Sequence, residues 1–231
     1  MLGPRKVDFA VIGEAFNILT KNVGPVVMCG LIAFLPVGIA GFLGWSLVLG
    51  VAMANPDPNN PMAGLMAQLV FMLFMVAGLA FAGIGNYGAA TIALNHRRGN
   101  PITMDMATAG LKRFFPSLVF ALLQSLAIQI GSMCCYLPGF ILGGLVTPGF
   151  AVLAEDESAG VGDAFTKSIE TMKPQLWMAT ALYFVLSLIA GLGVIACGIG
   201  IIATFPLLAM GMTLAYCDMA YGMGGSDRRP A

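Results

Sequence analysis

The chain has 231 residues, of which 58% are hydrophobic and only 10% charged, and its mean hydropathy is +0.89. A soluble domain needs about a quarter of its residues charged to cover its surface, so this composition excludes a water-soluble globular protein. The formal charge is zero, with 11 Lys and Arg against 11 Asp and Glu; membrane lipids are the expected surroundings, and no nucleic-acid partner is expected.

About 20 apolar residues cross a hydrocarbon core of ~30 Å as a helix. Helices are the expectation throughout, because lipid offers no partner to a strand edge and the alternation of a barrel strand is absent. The first element precedes any span. Phe9, Ile12, Phe16 and Leu19 recur at spacings of three and four, which predicts one apolar helix face. Asp8, Glu14 and Lys21 fall on the wet faces, as in a helix lying in the headgroup plane. Pro25 then predicts an elbow, since the residue before proline avoids the helical region and proline suits a helix's first turn.

The first span is 25–53 and the second is 62–95, both without charge. Gly83, Gly85 and Gly88 are spaced like part of a dinucleotide loop, but they lie inside an apolar span with no preceding strand, so that match is void. Gln68, Asn86 and Tyr87 are the main polar residues of this span, and Asn86 sits among the glycines. Burying it in lipid is costly; small neighbours let helices approach closely enough for an amide to bond across. A polar cavity is the functional alternative. His96, beside Arg97 and Arg98, is the chain's one histidine and lacks the further ligands a metal needs.

Asp105 precedes Pro116 by eleven residues, as Glu14 precedes Pro25. Two spans follow, 116–134 and 138–154, divided at the CCYLPG stretch 134–139. Gln124, Ser125 and Gln129 are polar within the first of them. Gln124 and Gln129 are five apart and share no clean face. Glu155, Asp156 and Glu157 read as the solvated end of a span.

Residues 161–165, VGDAF, nearly repeat residues 12–16, IGEAF. Asp163 again precedes a proline, Pro174, by eleven residues. Val161, Ala164, Ser168 and Met172 predict a second interfacial face, with Phe165 beside it. Glu14, Asp105 and Asp163 near helix beginnings are accounted for by the helix dipole, and no catalytic trio is inferred. The last spans are 174–196 and 200–221, turned at CGIG 197–200. Residues 223–231 are expected to be a flexible cytoplasmic tail. Cys29, Cys134, Cys135, Cys197 and Cys217 show no Cys-x-x-Cys and are expected to be packing residues. A bond from the adjacent pair to Cys197 is the alternative.

The expected fold is an all-α membrane protein of six transmembrane helices, arranged as three hairpins, each preceded by a cytoplasmic interfacial amphipathic helix. Residues 1–222 form a single polytopic domain, with units at about 8–95, 102–154 and 159–222. Every Lys and Arg lies on one side of this arrangement, and none lies at 54–61, 134–138 or 196–199. The positive-inside rule makes that side, with both termini, cytoplasmic. The first apolar run, starting near residue 25, is too long for a cleavable signal peptide. Duplication of one unit accounts for the periodicity. The alternative is that any six-span chain with amphipathic linkers reads as periodic.

The runs IGEAFNILTKNVGPVV, LNHRRG (94–99), GLKRFFPSLV (110–119) and VGDAFTKSIETMKP (161–174), with Pro206 and Tyr221 in the last span, carry a resemblance. Over most of residues 10–222 the chain resembles an uncharacterised bacterial membrane family. It is similar to the six-helix domain fused ahead of some glycerophosphodiester phosphodiesterases. The resemblance implies the fold and a bacterial inner-membrane location. Its motifs are structural elbows, and only GMGGSDRRPA follows Tyr221, so no enzymatic activity carries over.

No catalytic, metal or cofactor constellation is legible. The preferred reading is a non-catalytic scaffold, accessory subunit or membrane organiser, with other membrane proteins or further copies of itself as partners. A transporter of a lipid or small neutral solute is the alternative, and a membrane-embedded lipid enzyme the third reading.

Overall fold

The computed structural model describes residues 6–54, 61–195 and 200–222, and those residues form helices and no strands. Among the described residues, six helical segments are long and apolar enough to cross a membrane. The protein is an all-α, multi-pass membrane protein. Residues 55–60 and 196–199, where turns are expected, residues 223–231, and the side chains of Cys134 and Cys135 lie outside the described residues. A bond from the adjacent cysteines to Cys197 falls there too.

A short helix α1 (Ala10–Lys21) leads into the long pair α2 (Val23–Ala54) and α3 (Pro61–Arg97). A 3₁₀ turn (Met104–Met106) and the one-turn α4 (Ala109–Lys112) lead into α5 (Phe114–Cys135). The return span is broken into α6 (Leu137–Val146) and α7 (Gly149–Glu155). The last unit is α8 (Val161–Met172), a 3₁₀ turn (Lys173–Gln175), α9 (Leu176–Ile195) and α10 (Gly200–Tyr221). The middle unit therefore departs from expectation: a turn and a stub replace its interfacial helix. Pro101, Thr103, Asp105, Thr108 and Gly110 are poor helix formers. Gly110 also packs against a neighbour's backbone: a β-carbon there would come within 2.3 Å of Ile84 O.

The elbows are displaced from the prolines for a simple reason. Proline has no N–H to give the carbonyl four residues back. For Pro25 that carbonyl is on Lys21, and for Pro116 on Lys112, and α1 and α4 end at those residues. The bend falls at Asn22 (φ −132°, ψ 51°) and at Arg113 (φ −115°, ψ 45°), a matching conformation. The helical ladder restarts with Val26 N–H to Asn22 O, 3.3 Å, and Ser117 N–H to Arg113 O, 3.0 Å. Each proline then sits in its helix's first turn, where no donor is missed. The third site is a correction. Pro174 lies within the 3₁₀ turn, and the chain stays helical from Val161 to Gly193, with no extended residue between α8 and α9.

Between α5 and α6 a single residue reverses the chain. Tyr136 has φ 60° and ψ −44° and is 75% exposed. This is a conformation that favours glycine.

Helices in lipid gain little from apolar burial against one another, so close packing of small residues holds them together. The centre is built by α3 and α10. Leu207 and all of Ala209 to Met219 on α10 are buried, on every face of the helix. The α3 glycines bring backbones into contact: a β-carbon at Gly83 would come within 2.6 Å of Ser117 O, and one at Gly85 within 2.4 Å of Cys29 O. Gly83 thus faces α5 while Gly85 faces α2. The first and last units also meet, where Val7 N–H donates to Gln175 Oε1 at 2.7 Å.

Candidate functional site

Two polar assemblies stand out, one at membrane depth and one at the charged end of the bundle. The first is a cavity of about 270 Å³ between α3, α5, α9 and α10, mostly apolar in its lining but including Asn86, Gln124, Ser125, Gln129 and Tyr183. Three of the four amides that the sequence singles out as costly in lipid therefore line one space; the fourth, Gln68, is exposed on α3 and lies outside it. Gln124 is buried and its Nε2 donates to Thr147 Oγ1 at 2.9 Å. Thr147 stands at the break between α6 and α7, where Pro148 interrupts the helical ladder. The break frees a side chain to fix the amide's direction. Ser125 Oγ donates to Leu122 O, 2.9 Å, within its own helix. The amides of Asn86 and Gln129 have no hydrogen-bond partner among the described residues. No Asp, Glu, Lys, Arg or His lines the cavity. It can hold a hydrogen-bonding, uncharged molecule; it offers no group to move a proton at neutral pH and no ligand set for a metal.

Gln124 and Gln129 are far apart around the helix, yet both reach the cavity. Gln124 is buried at its floor, and Gln129 is exposed at its rim. Helical spacing alone does not show this, because the gap is wide enough to border two faces of α5.

The second assembly joins distant parts of the chain. Arg97, at the end of α3, lies 3.1 Å from Glu14 Oε2 and 2.9 Å from Asp218 Oδ1. Its side chain is 6% exposed and that of Asp218 8%. His96 Nε2 lies 3.3 Å from Glu14 Oε1. The guanidinium thus ties α1, α3 and α10 together. Nearby, Arg98 lies 3.6 Å from Glu155, which also accepts from the Tyr221 hydroxyl. Arg113 donates to the carbonyls of Leu153, Asp156 and Ala159 at 3.0–3.1 Å, closing the end of α7. In the same turn, bonds from the hydroxyl and N–H of Ser158 hold the exposed Asp156 carboxyl below the usual carboxylate range. Sequence reading found neither Arg97 nor Arg113. Both lie among other cations, and nothing in spacing tells a solvated cation from one that reaches a distant acid or a helix end.

The repeated phrase has divergent side-chain partners. Asp163 caps α8, accepting from Gly160 N–H at 2.9 Å, the acid arm of a capping box. Glu14 instead pairs with Arg97 and His96, and Asp8 takes the capping role on α1, accepting from Ala10 N–H at 2.9 Å. Asp105 is exposed in its 3₁₀ turn, and its carbonyl accepts from Thr108. Phe165 packs its ring 4.8 Å from that of Phe120, whereas Phe16 is 39% exposed. The two phenylalanines of the repeated phrase therefore have different surroundings. The residue with the same environment in both copies is alanine: Ala15 and Ala164 are both 0% exposed. The buried face of α1 is Val11, Ala15 and Ile18, one step around from the predicted Phe9, Ile12, Phe16 and Leu19. A small residue wins there because α1 lies directly on α10.

In comparisons with known proteins, no protein-family model matches the chain, and no curated protein or solved structure matches it.

Proposed function

We propose that this protein is a non-catalytic membrane carrier that binds a lipid or small neutral solute in the amide-lined cavity. One observation supports this above the scaffold reading: Asn86, Gln124 and Gln129 converge on a single space at membrane depth, two of them with unpartnered amides. An unmade hydrogen bond in an apolar medium costs several kcal/mol, so a hydrogen-bonding occupant is the natural complement. The test is ligand-dependent thermal stabilisation in detergent, screened over uncharged polar solutes and lipids. A specific ligand at a hundredfold its Kd should stabilise the wild type by about 2.7 kcal/mol. The variant Asn86→Leu/Gln124→Leu/Gln129→Leu should lose that gain. Equal stabilisation of both proteins would refute the proposal.

The scaffold or accessory-subunit reading draws on a different observation. At 1.5 Å per residue, α2 and α3 are about 48 and 55 Å long, well beyond a core of ~30 Å. Their far halves expose Phe42, Trp45, Met53, Leu69 and Leu73. A partner transmembrane helix would pack there. A photocrosslinker at Phe42 or Leu69 should give a discrete protein adduct on this reading; lipid adducts alone would sink it.

The location we infer is the bacterial inner membrane with both termini cytoplasmic, supported by the one-sided cations and by their clustering with α1, α8 and the end of α10. Duplication of one unit is supported by the shared bends before Pro25 and Pro116 and by the paired alanines of IGEAF and VGDAF. Amphipathic interfacial helices are supported at α1 and α8.

A further inference from the structure

The mouth of the cavity indicates where an occupant comes from. Gln129 stands at the rim of the cavity, exposed, between Leu126 (38% exposed) and Ile130 (64% exposed) on α5. That surface is the flank of the bundle, which in a membrane faces acyl chains. Gln129 is also fifteen residues beyond the first residue of α5, about 22 Å along it. The opening therefore lies in the leaflet opposite the charged end. A solute from water would have to cross lipid to reach it, whereas an amphiphile already in the bilayer would not.

The lining and the size narrow the ligand further. The residues of the lining that carry polar groups are the three amides, Ser125 and Tyr183; the rest of the wall is apolar, including Leu79, Phe205 and Leu208. Amides donate and accept, so they suit hydroxyl, ester or amide groups. A phosphate or ammonium head would sit unpaired, at high cost. The cavity volume is about 270 Å³. That admits a small head and its first carbons, but not the chains of a two-chain lipid.

We propose that the cavity takes the uncharged hydroxyl-, ester- or amide-bearing head of a membrane amphiphile, which enters sideways between helices and leaves its chain along the flank of α5. This deepens the carrier reading and rests on it.

The test uses full-length protein in phosphatidylcholine nanodiscs with a monoacylglycerol bearing a photoreactive group beside its ester. Adducts should map to 79–86 and 121–129. Excess monoolein should compete, and free glycerol and phosphatidylglycerol should not. Gln124→Leu should lower specific labelling about fivefold, the worth of one hydrogen bond near 1 kcal/mol. Gln129→Leu, at the exposed rim where refolding is least at risk, should lower it as well. Competition by glycerol as strong as by monoolein would overturn the amphiphile claim while leaving a binding site for a small solute. Equal competition by phosphatidylglycerol would overturn the uncharged head. Labelling spread over all lipid-facing helices, without competition, would overturn both this inference and the carrier reading.

Discussion

Glu14 and Asp163 occupy matching places in IGEAF and VGDAF, yet one joins its helix to the Arg97 guanidinium and the other caps its own helix. The common requirement is the alanine beside them. Ala15→Leu and Ala164→Leu should each destabilise the protein by about 1–3 kcal/mol, the usual cost of overpacking. Phe16→Ala should cost less than either, because Phe16 is exposed. Denaturation in mixed micelles would rank the three. The Arg97 assembly gives a sharper expectation. Arg97→Ala leaves Asp218 buried beside Glu14 with no cation between them, which should cost about 3–5 kcal/mol. Asp218→Leu added to Arg97→Met should recover much of that loss. If Arg97→Ala unfolds at the wild-type midpoint, the guanidinium does not hold α1, α3 and α10 together.

At the scale of elements, much was legible because lipid demands long apolar runs and proline denies a specific hydrogen bond. Five of the six spans fall within a few residues of the apolar stretches, the fifth span running on from Val161 without a break, and the reversal at 134–139 centres on Tyr136. What escaped is equally physical. The stub α4 follows from poor helix formers and a close backbone contact at Gly110, which spacing from Pro116 does not reveal. The spacing from Asp163 predicts a break at Pro174, but a 3₁₀ turn absorbs its missing donor. The cavity was half legible: each amide was marked by its cost in lipid, but their convergence depends on how α3, α5, α9 and α10 pack. Arg113 was not legible at all. Its fork reaches three carbonyls at the end of α7, and such geometry is specific to arginine. Arg113→Ala should lower stability by about 1.5–3 kcal/mol or more, as lost charged hydrogen bonds do. Arg113→Lys should recover only part of it, a comparison that thermal unfolding of the two variants would settle.

For the whole molecule, the orientation and the cavity are the claims that matter. In a cysteine-free background, single cysteines at Asn59 and Ser226 should label from opposite faces of the membrane; labelling of both from the periplasm would overturn the six-span topology. The central claim is that the amide-lined cavity holds an uncharged ligand. Native mass spectrometry of the protein released from its own membrane, beside the Asn86→Leu/Gln124→Leu variant, tests this most directly. The account predicts a discrete uncharged organic adduct on the wild type that is absent or severalfold depleted on the folded variant. A wild type free of any such adduct, or the same adduct at the same occupancy on both proteins, would contradict it.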